Sequence, residues 1–434
     1  MMAAMRRVGF AALVLFGLLW GGNAFAADDP GAPLQWGMVR IGAETAWAGG
    51  QGEGITIAII DTGVDLDHED LVGRIVAGRD LVDDDDVADD EEGHGTHVAG
   101  VAAASSGNGL GVIGVAPKAS IMPVRVLDGA GRGTLEDVAA GIRWATEHGA
   151  DVINLSLGPE RGDLTPHPTS DAALRDSIDQ AWAAGIVVVL AAGNDEALEL
   201  SHDSPAIVVA ATTKSDAAAR YATDADNDLA GAPFALAAPG GEVGDTTETC
   251  AADPAGILST YRQEGVSGSY ACLAGTSMAA PHVAGAAAVL RGLGLDNGAT
   301  RSRLLATAVD LGPPGPDPVF GAGRLDVAAA VAGMTGGSVP PGPTAPTTPT
   351  TVANGAVAST SAVPGAVPRT TPTAAGDGLA RVGPAPAPAI TIDGVALGAG
   401  GDDIDRTVPL ALAGALVLVV GAAAVRLRAP GRRR

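Results

Sequence analysis

The chain is poor in aromatic side chains, in lysine and in cysteine. Aromatics make up 3% of its 434 residues, and none follows Phe320. Bulky apolar side chains dominate packed cores, so the folded part lies in the first three-quarters of the chain. Lysine occurs only at 118 and 214, and the formal charge is −24 at pH 7. So acidic a chain argues against nucleic acid as a partner and fits a soluble surface that can hold cations. The two cysteines, Cys250 and Cys272, leave two readings open. They are buried free thiols or, in an exported chain, one disulfide closing a loop of about 20 residues.

Long apolar runs are scarce too, and the two present lie near the ends. Val8 to Trp20 follows Arg6-Arg7 and precedes Ala24-Phe25-Ala26. That is the pattern of a secretory signal peptide over residues 1–26. Val408 to Val425 is apolar throughout and is followed by Arg426, Arg428 and Arg432-Arg433-Arg434. It reads as a transmembrane helix over 406–425 with a basic cytoplasmic tail over 426–434, the rest of the chain facing outward. No sorting pentapeptide of the LPxTG kind precedes it. Residues 334–405 are rich in Pro, Thr, Ala and Gly with no sustained period, the composition of a disordered spacer. One domain remains, over 27–333.

Within that domain three stretches carry chemistry. Ile55-Thr56-Ile57-Ala58-Ile59-Ile60-Asp61 is a buried strand pattern ending on a carboxylate. Gly93-His94-Gly95-Thr96-His97-Val98-Ala99-Gly100 opens a small-residue helix with an imidazole. Gly275-Thr276-Ser277-Met278-Ala279-Ala280-Pro281-His282 runs from a turn into an alanine-rich helix. Ser277 alone would read as an N-cap. Together, a carboxylate, an imidazole and a hydroxyl at element ends supply an orienter, a base and a nucleophile.

These blocks, in the order Asp, His, Ser, resemble those of the subtilisin-like serine proteases (subtilases), the thermitase-like members above all. Ala191-Ala192-Gly193-Asn194 is similar to the family's oxyanion segment. The resemblance implies a serine endopeptidase acting on extended polypeptide, with Asp61, His94 and Ser277 as the triad and Asn194 as oxyanion donor. It sets His97 and Asp65 aside as neighbours of the acting His94 and Asp61. Gly129, Gly131, Gly133, Ser156, Leu157 and Gly158, with Ala192 and Gly193, correspond to segments that bind substrate. Structural Ca²⁺ is implied at two places. One is Asp70, Asn108 and carbonyls around Leu110 and Val112. The other is Asp80, Asp83 and Asp85 in the acidic run Asp80 to Glu92, which is otherwise a solvated loop.

The pattern alone gives the fold class. Apolar runs Met122 to Leu127, Val152 to Leu157 and Ile186 to Leu190 alternate with helical stretches Thr134 to His148 and Ser170 to Ala184. That is an α/β fold on a mostly parallel sheet, whose sites lie at the carboxyl ends of strands. Few residues separate Ala26 from the domain, fewer than the pro-segment many family members carry. Signal peptide, protease domain, Pro-rich spacer, anchor and basic tail together resemble the mycosins, proteases associated with type VII secretion. That layout implies a membrane and a secretion machinery as partners. The competing expectation is a scaffold on the same fold, for which turnover is secondary.

Overall fold

Runs of Ile, Val and Ala become the strands of a single sheet in the computed structural model, which describes residues 28–157, 168–194, 204–222, 229, 232–242, 250, 255–263, 266–334, 391–392 and 395–396. The strands are β1 (Thr56–Asp61), β2 (Arg79–Asp80), β3 (Ser120–Arg125), β4 (Val152–Leu155), β5 (Val187–Ala191), β6 (Ile207–Thr212) and β7 (Ala235–Pro239). Their order is β2-β3-β1-β4-β5-β6-β7, and each neighbouring pair is parallel. The expected mostly parallel sheet is thus parallel throughout. Such a sheet must be covered on both faces, which is why β4 to β7 are buried end to end.

Alternation along β1 divides the core. Ile57 and Ile59 pack with α3 (His94–Ala103) and α6 (Thr276–Gly292). Ala58 and Ile60 face the other way, onto α4 (Leu135–Glu147) and α5 (Pro168–Ala183). α4 starts where Thr134 caps it: the hydroxyl accepts from Asp137 N at 3.1 Å, an arrangement worth about 1 kcal/mol. α3 and α6 are built from Ala, Gly and Val, so they approach each other and the sheet closely. A Cβ at Gly285 would lie 2.6 Å from the Val115 side chain. Before the sheet come two short helices, α1 (Trp36–Ile41) and α2 (Ala43–Ala46). After α6 come α7 (Asn297–Ala306) and α8 (Val327–Val331).

One element was not legible in the sequence. β8 (Ile257–Gln263) and β9 (Val266–Leu273) form an antiparallel ribbon, and β8 lies on α3. Its polar residues hid it: Ser259 and Thr260 are buried, their hydroxyls donating to His97 O (2.8 Å) and Thr96 O (2.7 Å). A disulfide joins Cys250 to Cys272, which selects between the two readings of the cysteines.

Within 334–405, where no period was expected, Thr391–Ile392 and Val395–Ala396 form a short antiparallel pair, β10 and β11. The expected signal peptide (1–26), transmembrane helix (406–425) and basic tail (426–434) lie outside the described residues, as does the spacer apart from Met334 and this pair. Among the described residues no helix is long and apolar enough to cross a membrane.

Candidate active site

A parallel sheet ends all its strands at one edge, and three of the predicted residues sit there. Asp61 is the last residue of β1, Ser156 follows β4, and Asn194 lies just past β5. Two helices begin at the same place, α3 with His94 and α6 with Thr276 and Ser277.

Asp61 is fully buried. Its Oδ1 accepts from Thr62 N at 2.8 Å and from His94 Nδ1 at 2.7 Å, while Oδ2 has no hydrogen-bond partner among the described residues. His94 is about one quarter exposed (26% of its side chain), so one face of the ring stays open. With Nδ1–H given to Asp61, the neutral ring carries its lone pair on Nε2. Burial pulls the His94 pKa down, but Asp61, Glu92 and Asp90 pull harder the other way and hold it at about 9.

Asp90 fixes the start of α3. Gly93, the N-cap, has φ 115° and no side chain, so the cap comes from three residues earlier. Asp90 Oδ1 accepts from Thr62 Oγ1 (2.9 Å), Glu92 N (2.9 Å) and Gly93 N (2.8 Å). Its Oδ2 accepts from Thr96 N (2.9 Å) and Thr96 Oγ1 (2.6 Å). Thr62 then accepts from Gly95 N at 2.9 Å, tying the turn after Asp61 to the helix that carries His94. Only glycine fits at 95, because a Cβ there would lie 2.0 Å from Gly63 O.

Asn194 is oriented by Thr276. The Thr276 N–H donates to Asn194 Oδ1 at 2.8 Å, which decides which end of the amide is oxygen. The Thr276 hydroxyl accepts from Gly193 N (3.2 Å), so its proton goes to Asn194 Oδ1 (3.0 Å). Asn194 Nδ2 is left to donate elsewhere. A Cβ built on Gly275 would lie 3.4 Å from that Nδ2 and 3.6 Å from Ser277 N. A side chain at 275 would therefore lie in van der Waals contact with the Asn194 amide and with Ser277 N. Ser277 Oγ donates to Ser156 O at 3.1 Å, so in this structure the hydroxyl rests on that carbonyl and not on His94.

The remaining predicted residues are distributed as follows. Ala192 and Gly193 are buried between β5 and Asn194, and Ala192 N bonds Val209 O at 3.0 Å. Gly129, Gly131 and Gly133 belong to the loop after β3, where Asp128 and Arg132 close a turn and Gly131 takes φ 70°. Leu157 is half-buried, and Gly158 lies outside the described residues. His97 is not part of the site: it is buried, its Nε2 bonding Ile257 O at 2.9 Å and Ala271 O at 3.2 Å. Asp65 bonds Asp67 N in its own turn.

The two acidic places differ. Arg125, almost fully buried, stands among Asp80 (2.8 Å), Asp83 (2.9 Å) and Glu91 (2.6 Å), while Asp84 and Asp86 pair with Arg79. Asp85 Oδ1 accepts from Val87 N at 2.8 Å. At this run, where Ca²⁺ was the expectation at Asp80, Asp83 and Asp85, Arg125 and Arg79 take up part of the negative charge. Among the described residues no group of three or more His, Cys, Asp and Glu is arranged to hold a metal. Asp70 is buried with neutral donors, Asn108 Nδ2 (2.8 Å) and Val112 N (2.8 Å). Beside it the structure places a residue that sequence reasoning missed. Asp29, also buried, accepts from Gly107 N (2.6 Å) and Gly109 N (2.9 Å). Burial, with the Asp29 and Glu69 charges nearby, outweighs those hydrogen bonds and pushes Asp70 up to about 7. An Asp in the short stretch Asp28-Asp29-Pro30 before the domain gave no signal.

Comparison with known proteins gives the family. The family profile described as "Subtilase family" matches residues 52–323. Thermitase of Thermoactinomyces vulgaris is 39% identical over 311 residues, covering 71% of this chain and 99% of thermitase. Subtilisin DY of Bacillus licheniformis is 37% identical over 305 residues, covering 68% and 98% respectively. A solved protease structure from Pseudoalteromonas arctica superposes with a TM-score of 0.59 at 32% identity, covering 71% of this chain and 99% of its own. The chain belongs to the subtilase family and is a serine endopeptidase of the subtilisin type.

Proposed function

We propose that the chain is an exported, membrane-anchored serine endopeptidase whose catalytic triad is Asp61, His94 and Ser277. The observation that carries the triad is the 2.7 Å bond from His94 Nδ1 to buried Asp61, which leaves Nε2 as the base. Ser277 Oγ leaves the Ser156 carbonyl and attacks the scissile carbonyl carbon, its proton passing to His94 Nε2. The tetrahedral oxyanion lies between Asn194 Nδ2 and Ser277 N–H. When the C–N bond breaks, Nε2 returns the proton to the leaving amine, and water repeats the sequence on the acyl-enzyme. In subtilisin itself, loss of one such donor costs about 3–4 kcal/mol of transition-state stabilisation.

The sheet order supports an extended substrate. β3 and β4 both flank β1, which stops at Asp61. Beyond that point the loops after β3 and β4 are separated by two strand spacings, roughly 10 Å. One extended chain fills that width and bonds the backbone on either side.

Asp29 and Asp70 fit a structural Ca²⁺. They are two buried carboxylates on a Gly-rich loop whose N–H groups they accept from, and a cation relieves their repulsion. Bound there, it would brace the N-terminal segment against residues 105–112 and take no part in the chemistry.

Signal peptide, spacer, anchor and basic tail support processing of a few secreted proteins at the outer membrane face, in the manner of a mycosin. Under the scaffold reading the triad could drift, but Asp61, His94, Ser277 and Asn194 are all present. A membrane-impermeant fluorophosphonate probe on intact cells separates these. The proposal expects labelling of a membrane-bound band that Ser277→Ala abolishes. Labelling confined to lysed cells, or to the medium, contradicts the anchored, outward-facing placement.

A further inference from the structure

α6 contains a proline one turn after the nucleophile. Pro281 has no N–H, so the Ser277 carbonyl, four residues earlier, loses its intrahelical donor. A buried carbonyl at a helix start needs another partner. The structure supplies one from a different element: Ser156 Oγ donates to Ser277 O at 2.8 Å. The direction is set from behind. Asn154 Nδ2, on β4, donates to Ser156 Oγ at 2.8 Å, so the single hydroxyl proton points to Ser277. Asn154 and Ser156 are 0% and 1% exposed, so water does not replace either bond.

We propose that Ser156, held by Asn154, is a positioning residue that substitutes for the hydrogen bond Pro281 removes and thereby fixes the backbone of Ser277. That backbone carries both the attacking Oγ and the N–H that meets the oxyanion. Pro281 itself keeps the Ser277 carbonyl out of the helical ladder and available to β4. The nucleophile is in this way registered to the sheet edge that ends in Asp61, across a sequence separation of 121 residues. The inference rests on Ser277 being the nucleophile.

The test is a cycle of four full-length proteins: wild type, Ser156→Ala, Pro281→Ala and the double variant. Fluorophosphonate acylation rate, kcat and KM on a peptide substrate, and thermal melting are measured for each. Ser156→Ala should lower kcat and acylation about tenfold with KM changed less than about twofold. In the double variant the Pro281→Ala change restores the missing backbone N–H to Ser277 O. Relative to Pro281→Ala alone, the further loss should shrink to about threefold or less. Ser156→Ala acylating at the wild-type rate overturns the proposal, and so do two losses that simply multiply. If Ser156→Ala does not fold, Ser156→Cys, a weak donor of similar shape, takes its place with the same rescue expected. A wild type that Ser277→Ala does not distinguish refutes the nucleophile assignment instead.

Discussion

At the scale of single residues the site depends on which atoms already have partners. Asp61 engages His94 through Nδ1, and three acidic residues raise the imidazole to about 9 despite its burial. A base must be neutral to accept a proton, so kcat/KM should climb with pH into the alkaline range. Stability runs the other way. The contribution of His94 to folding is fully present below about 6.5 and is lost as pH rises through about 9. Glu92 Oε2 accepts His94 N at 2.8 Å, so its charge lies beside the ring. Glu92→Gln should move the acidic limb of kcat/KM down by about half a unit, and an unmoved limb would deny Glu92 this influence. Gly275→Ala probes the surroundings of the Asn194 Nδ2 and Ser277 N–H donors. It should lower kcat about a hundredfold or more while the protein still folds, since that Cβ meets Asn194 Nδ2 at 3.4 Å and not a rigid backbone wall.

At the scale of elements, the segments proposed to carry the triad could be picked out in the sequence because local patterns coincide with their place at the sheet edge. A buried strand closing on Asp61, and two small-residue helices opening on His94 and Ser277, need little beyond their own sequence to be found. The β8–β9 ribbon was not legible, because polar Ser259, Thr260 and Ser269 are buried among its apolar side chains and the α3 partners of Ser259 and Thr260 lie far off in sequence. His97 bonds it from α3 and His68 bonds Ser269 O at 2.9 Å, both as neutral rings. Burial pulls His97 down to about 3 and lowers His68 as well. The unfolded chain takes up these protons below about 6.5 and the folded chain does not, so stability should fall as pH falls from there. His97→Gln keeps a donor without titrating. Urea midpoints between pH 4 and 7 should then fall less steeply than in wild type, and an equal slope would place the acid sensitivity elsewhere. Reducing the Cys250–Cys272 bond, which spans 22 residues, should cost about 3 kcal/mol in the same assay.

At the scale of the whole molecule, composition pointed to a folded part before Phe320, where the seven-stranded sheet lies, but it could not say how the acidic side chains pair. The run from Asp80 read as a solvated loop or, by resemblance, as a Ca²⁺ site, yet the Arg125 that pairs with Asp80, Asp83 and Glu91 comes from β3, a strand whose sequence says nothing about its partners. The other place, Asp29 with Asp70, joins distant residues through a turn of glycines, a relation only folding reveals. A chelator should lower the melting temperature of the wild type by several degrees, with added Ca²⁺ restoring it, and Asp29→Asn should remove the response. A chelator shift that survives in Asp29→Asn would locate the ion at another set of ligands.

The central claim, that Asp61, His94 and Ser277 act together at the edge of the sheet, is tested most directly by mapping covalent attack. Full-length protein is treated with a fluorophosphonate and the adduct is located by peptide mass spectrometry, alongside Asp61→Asn and His94→Ala. The account predicts a single adduct on the peptide carrying Ser277, formed at least about a thousandfold more slowly in either variant. An adduct on another serine, or labelling of Ser277 at the wild-type rate without Asp61 or His94, would contradict it.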